Sequence, residues 1–90
     1  MKVYWRERRK GQRLVLSYGD GREEEAGGVR ETKSGYKAFA KTFGYDPGRA
    51  MDNIESLEEA KKFVESFSPW ELFDGGQGLS VEAQVRPALD

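Results

Sequence analysis

The stretch Ser56-Leu-Glu-Glu-Ala-Lys-Lys-Phe-Val-Glu-Ser-Phe67 decides the fold, because it carries helix signals at its start and along its length. Ser56 followed by Glu59 matches a capping box, in which each side chain binds a backbone N–H that the first helical turn leaves free. Pro69 marks the end. At 100° per residue, the apolar side chains share an arc of about 120°, the width of a helix face that lies on a core; they are Leu57, Ala60, Phe63, Val64 and Phe67. The sequence therefore predicts one amphipathic helix over 56–67.

Length and composition predict one small domain. The chain has 90 residues, of which 37% are hydrophobic and 34% charged, and this is typical of a globular protein with a single core. We expect one domain over residues 1–90. No apolar run is long enough to cross a bilayer and the N-terminus has no hydrophobic signal region, so the expected location is the cytoplasm, away from membranes.

The chain contains no cysteine and no histidine. This excludes disulfides, thiolate or imidazole catalysis and ordinary zinc sites. An enzyme here would depend on carboxylates, lysine, tyrosine or an oxygen-ligated cation, and no pair of carboxylates stands out. Asp46, Asp52 and Asp74 lie near turns, but their spacing fits no EF-hand loop. We therefore expect no catalytic residues, no cofactor and no metal.

Alternation of side chains between two faces predicts two hairpins before the helix. Residues 2–9 and 12–18 flank a turn at Lys10-Gly11, and residues 29–33 and 36–43 flank a turn at Ser34-Gly35, so each pair indicates a hairpin.

The remaining segments are less regular. Residues 49–54 predict a short strand before the helix, and residues 79–86 alternate as a half-buried strand does. Arg22–Ala26 holds three consecutive glutamates, and we interpret it as a short edge strand or an exposed loop, followed by a bend at Gly27-Gly28.

Together these elements predict an α+β domain, in which an antiparallel sheet of four to five strands is packed on one face by a single main helix at about 56–67. Ala38 and Ala40 share one face of their strand, and we expect them to lie beneath Phe63 and Phe67. Phe39 and Phe43 then face the other way and need a different cover.

The N-terminal hairpin is the first candidate binding surface. Strand alternation places Tyr4, Arg6 and Arg8 on one face, and arginine both binds phosphate oxygens bidentately and stacks on bases. The alternative is a solvated edge strand whose arginines pair with Glu23–Glu25. The candidate contact residues in this hairpin are Tyr4, Arg6, Arg8, Arg9, Lys10 and Arg13.

The sequence pattern Trp-Arg-x-Arg-x-Lys-Gly-x-Arg over residues 5–13 resembles the first hairpin of arm-type and AP2-like DNA-binding domains. In those domains a three-stranded sheet backed by one helix enters the major groove. The resemblance covers about the first eighteen residues of this chain, which has a further hairpin before its helix. It implies nucleic-acid contact through the basic hairpin.

A second candidate surface lies on the strand at 36–43, where Lys37 and Lys41 bracket Phe39, with Lys33 nearby. An exposed Phe39 would stack a base or anchor a partner. The alternative is that Trp70 or Phe73 covers the ring.

Residues 35–65 combine Gly-Tyr-x-Ala with Ser-Leu-Glu-Glu-Ala-Lys-x-Phe-Val-Glu, a pattern that is similar to small uncharacterised proteins of phages and bacteria. The resemblance implies a small accessory protein that works by binding. Our hypothesis from sequence is a non-catalytic binding module for an unidentified protein partner, and the alternative is a nucleic-acid-binding domain. A free strand edge allows a monomer or a weak homodimer.

Overall fold

Five antiparallel strands form one sheet in chain order, and an α-helix packs on one of its faces. The fold is seen in a computed structural model, which describes residues 1–89. The elements are β1 (Lys2–Arg8), β2 (Gly11–Ser17), β3 (Glu23–Thr32), β4 (Gly35–Ala40), β5 (Ala50–Ile54) and α1 (Leu57–Glu65), with short 3-10 turns at Pro47–Arg49 and Pro69–Leu72. The strand order is β1-β2-β3-β4-β5, and the predicted α+β class is confirmed.

The helix begins where the sequence predicts and ends slightly earlier. Ser56 accepts a hydrogen bond from the Glu59 N–H at 3.1 Å, and the last helical residue is Glu65. The chain then turns through Ser68, whose φ of 46° is left-handed. As predicted, α1 packs on β4, where Ala38 and Ala40 are buried.

The core lies between α1 and the sheet. Val3 and Trp5 on β1 and Leu14 and Leu16 on β2 are almost fully buried on this side, with Val64 from the helix. Burial of each large apolar side chain stabilises the fold by roughly 1.5–3 kcal/mol relative to leaving that side chain exposed.

Trp5 also joins the two layers. Its Nε1 donates to the Glu65 carboxylate at 2.8 Å, and the Lys61 ammonium lies 5.2 Å from the centre of its ring. Burial lowers the pKa of Lys61, because removal from water disfavours the charged ammonium.

The prediction of a short edge strand or loop over residues 22–26, followed by a bend at residues 27 and 28, is wrong. Residues 23–28 are part of β3, in the middle of the sheet. Two of the three glutamates, Glu23 and Glu25, are stabilised there because arginines of β1 and β2 pair with them. Gly27 faces the helix: a Cβ on it would lie 2.6 Å from Cγ1 of Val64. The two glycines therefore let neighbouring groups approach the strand, and the chain does not bend at them.

Both hairpin turns fall one residue earlier than predicted, at Arg9-Lys10 and Lys33-Ser34. Gly11 belongs to β2, where a Cβ would collide with the carbonyl oxygen of Val29. Gly35 belongs to β4, where a Cβ would lie 2.5 Å from the carbonyl oxygen of Ile54. These glycines serve a close approach of adjacent strands. Local turn statistics do not distinguish that role from a turn.

The predicted strand at 79–86 is not a regular strand, although it follows the outer edge of β1 in parallel. Isolated bridges join Val3 to Val81 and Arg6 to Arg86. The Glu82 N–H donates to the Val3 carbonyl and the Arg86 N–H to the Trp5 carbonyl, both at 2.8 Å. We call residues 79–86 the C-terminal strap. It covers the β1 edge and leaves β5 as the open edge.

Candidate functional site: a cationic groove

The sheet face opposite α1 has two halves, and the first is closed by its own side chains. Tyr4 is 3% exposed and Arg6 is 9% exposed, so these two side chains are not open to solvent, as a binding surface on this strand face would require. Arg6 Nη1 lies 2.8 and 3.0 Å from the two carboxylate oxygens of Glu23, and the Tyr4 hydroxyl donates to the same carboxylate at 3.1 Å. The guanidinium of Arg86 stacks on Tyr4 at 4.2 Å from the ring centre.

A second carboxylate is shared by the two arginines beside this pair. Arg8 Nη1 and Arg13 Nε lie 3.1 and 3.2 Å from the same oxygen of Glu25, and Val15 is fully buried on this face of β2. The alternative considered from sequence, arginines that pair with Glu23–Glu25, is therefore the arrangement at Arg6, Arg8 and Arg13. The arginines in this half of the face are therefore engaged in ion pairs within the fold.

The second half is a concavity of about 790 Å³, which we call the cationic groove. Its side chains are five cations and one aromatic ring, and Gln12, Gly28 and Val29 complete the lining. The groove residues are Arg8, Arg9, Lys10, Arg30, Lys37 and Phe39.

Two hairpins supply these cations. Arg9 and Lys10 form the β1–β2 turn, where Lys10 has a φ of 61°. Arg30 on β3 lies directly opposite Lys37 on β4 in the antiparallel register. Because neighbouring strands are only about 4.8 Å apart, the register alone brings the charges of the second hairpin together.

Most of the charge in the groove is uncompensated. Arg8 shares Glu25 with Arg13, and Lys37 Nζ lies 3.7 Å from Asp52 in a pair whose two side chains are mostly exposed. Within residues 1–89, Arg9, Lys10 and Arg30 form no ion pair. A concave surface lined by one sign of charge concentrates its potential and attracts ligands of the opposite sign.

The ring of Phe39 lies in this groove and is 41% exposed. It lies opposite Gly28 across β3 and β4, and a Cβ on Gly28 would lie 2.9 Å from Cε1 of the ring. The predicted cover by Trp70 or Phe73 is wrong: Trp70 belongs to the buried core, and Phe73 packs edge-on against Phe43 at 5.5 Å between ring centres.

The structure thus joins parts of the two predicted surfaces and separates the others. Arg8, Arg9, Lys10, Lys37 and Phe39 line one groove. The predicted contacts outside it are Tyr4, Arg6, Arg13 and Lys41.

Arg30 was missed by the sequence reasoning. The sequence does contain a signal for it. Lys37 lies opposite Arg30 if the hairpin turns at Lys33-Ser34, and Phe39 does if it turns at Ser34-Gly35. Residues opposite each other in a ladder share a face, so either turn places Arg30 beside the second candidate surface.

Two further observations concern other kinds of site. Residues 1–89 contain no group of three or more His, Cys, Asp or Glu side chains that is placed to hold a metal ion. Over the same range, no helix has the length and apolar character needed to cross a membrane.

Comparison with known proteins identifies no relative of this chain. The chain matches no family model, no curated protein and no solved structure.

Proposed function

We propose that this chain is a non-catalytic binding module that contacts nucleic acid through the cationic groove. The observation that carries the proposal is the convergence of Arg9, Lys10 and Arg30, none of which has an ion-pair partner within residues 1–89, around the exposed ring of Phe39. Arginine binds phosphate oxygens in a bidentate manner, and lysine adds a point charge.

The aromatic ring favours nucleic acid over an acidic protein surface. A carboxylate-rich partner would use the cations and leave the ring without a role. A nucleotide carries both a phosphate and a flat base, and these two groups match the two kinds of side chain in the groove. On the adjoining half of the face, Arg6 and Arg13 are already paired with Glu23 and Glu25, so the proposed contact is made by the β1–β2 turn and the β3–β4 hairpin.

The test is fluorescence anisotropy with labelled oligonucleotides over a series of salt concentrations. Binding at low salt should weaken as salt rises, because phosphate contacts release counterions. Arg30→Ala with Lys37→Ala should weaken binding and reduce the slope of log K against log salt by about 1.4, from roughly 0.7 per phosphate contact on a single strand.

The matched control is Arg22→Ala with Lys62→Ala. It removes the same charge from two exposed side chains outside the groove. Equal weakening by both double variants, or no binding of any nucleic acid at low salt, would reject the proposal.

A second candidate function is contact with a protein partner, and one observation favours it. Three large apolar side chains are exposed, two in the connection between β4 and β5 and one on β5: Phe43 at 67%, Tyr45 at 93% and Met51 at 48%. Exposed apolar clusters of this kind mark interaction sites. A partner captured by the wild-type chain and by Arg30→Ala/Lys37→Ala, but lost from Phe43→Ser/Tyr45→Ser, would support this function.

We also propose that the protein works in the cytoplasm, as a monomer or a weak homodimer. The open β5 edge supports only limited pairing, because Asn53 takes a left-handed φ of 59° and Asp52 adds a charge to a five-residue strand. Cell fractionation and sedimentation velocity test the two statements.

A further inference from the structure

We infer that the cationic groove selects single-stranded nucleic acid and stacks one unpaired base on Phe39. This rests on the proposed function and adds the form of the ligand and the residue that distinguishes it.

The ring of Phe39 is held as a platform. Gly28, directly across the ladder, has no side chain, and Cε1 of the ring lies 2.9 Å from where a Cβ would be. The backbone of β3 therefore supports one side of the ring, while 41% of the residue remains open to solvent. A ring that is already fixed loses little conformational entropy when a base stacks on it.

Cations for the phosphates lie beside this platform. Lys37 and Phe39 share one face of β4 and are separated by about 7 Å, given a rise of roughly 3.4 Å per residue. Arg30 lies opposite Lys37, and Arg9 and Lys10 line the same concavity. The flexible lysine and arginine side chains reach over this distance, so the base and the phosphates of one short segment can be bound together.

A duplex cannot use this arrangement. Its bases are paired and stacked inside the helix, and only their edges are exposed in the grooves. Stacking on a protein ring requires a base that is free of its neighbours. On the adjoining half of the face, Glu23 and Glu25 already engage Arg6 and Arg8, so fewer free cations are left there for a second strand.

The experiment compares three probes of equal length: oligo-dT, an abasic deoxyribose-phosphate strand and a mixed-sequence DNA duplex. The abasic strand carries the phosphates without the bases. We expect oligo-dT to bind about 5- to 140-fold more tightly than the abasic strand, the range that corresponds to stacking of one base at roughly 1–3 kcal/mol. Phe39→Leu should remove this difference without changing the salt slope, since it removes no cation.

Phe39→Trp provides a direct readout of stacking. The native Trp5 and Trp70 are 2% and 6% exposed, so a change in tryptophan fluorescence on binding reports the residue at position 39. Oligo-dT should quench the added fluorescence, and the abasic strand should not. Far-UV circular dichroism and thermal unfolding of both variants verify that the fold is retained.

The results separate the inference from the proposed function. Equal affinity for oligo-dT and the abasic strand, tighter binding of the duplex, or a Phe39→Leu variant that keeps the preference overturns the stacking inference while nucleic-acid binding stands. Absence of binding by all three probes at low salt overturns both.

Discussion

Arg6 on β1 and Glu23 on β3 form an ion pair that spans the intervening strand β2, with the Nη1 atom 2.8 and 3.0 Å from the two carboxylate oxygens. The side chain of Arg6 is 11% exposed and that of Glu23 is 27% exposed. On the same face Val15 is fully buried. The pair therefore serves as part of the cover of this half of the sheet, and it explains why a run of glutamates lies in a central strand.

Removing one partner of this pair should destabilise the fold. Glu23→Gln leaves the Arg6 guanidinium in a mostly buried place without its carboxylate, and we expect a loss of about 1–3 kcal/mol in the free energy of unfolding. Urea denaturation measures it. Glu58→Gln is the control, because its pair with Lys62 is about four-fifths exposed at Glu58 and such pairs contribute about 0–1 kcal/mol. Similar losses in the two variants would contradict a structural role for the Arg6–Glu23 pair.

The same carboxylate predicts a dependence of stability on acid. The hydrogen bond from Arg6 lowers the pKa of Glu23 below its ordinary value of 4.5. A carboxyl whose folded-state pKa is depressed stabilises the fold fully above the unfolded pKa, and this contribution is lost as pH falls through the folded pKa. The free energy of unfolding should therefore decline below about pH 4.5, with a shallower decline in Glu23→Gln. Asp20, whose pKa is lowered mainly by the backbone N–H of Arg22, remains in that variant, so part of the decline persists. An unchanged pH profile would show that Glu23 is not the group responsible.

Gly27 should tolerate no side chain. A Cβ there would lie 2.6 Å from Cγ1 of Val64 and 2.7 Å from the carbonyl oxygen of Phe39, so Gly27→Ala must push α1 away from the sheet. Overpacking of this kind costs about 1–3 kcal/mol, which chemical denaturation detects. Gly44→Ala is the matched control, because a Cβ at Gly44 meets no atom within 4 Å and φ there is not left-handed. If Gly27→Ala were as stable as Gly44→Ala, the close contact between α1 and β3 would be refuted.

The sequence was sufficient for features that local chemistry determines. Periodicity and propensity predict the cap at Ser56, the apolar face of α1 and the short strand before the helix. They also predict that Ala38 and Ala40 on β4 lie beneath the helix. Residues 23–28 could not be assigned in this way, since three glutamates and two glycines oppose a strand locally. The segment forms a strand because of residues far away in the sequence. Arginines of β1 and β2 pair with its glutamates, and Val64 and Phe39 pack closely on its glycines.

The candidate groove was predictable in part. Alternation along one strand indicates which side chains share a face, and so Lys37 and Phe39 were found together. It does not show which charges are matched by residues of other strands. Tyr4, Arg6 and Arg13 were candidates because they belong to the same N-terminal cluster as Arg9 and Lys10. Only the position of β3 next to β2 assigns the first three to an internal network and the other two to a groove.

The C-terminal strap should prevent pairing of the β1 edge with other chains. Its backbone hydrogen bonds to Val3, Trp5 and Glu7 occupy that edge, and Leu79, Val81 and Val85 pack against the core. Ending the chain at Gly78 should lower the free energy of unfolding by about 2–4 kcal/mol, since three partly buried apolar side chains are lost. It also exposes unpaired N–H and C=O groups along a long strand. Sedimentation velocity should therefore show concentration-dependent self-association of the shortened chain, and a synthetic peptide of residues 79–89 added in excess should return it to the monomer. A shortened chain that stays monomeric and as stable as the full chain would mean that the strap is not needed to protect the edge.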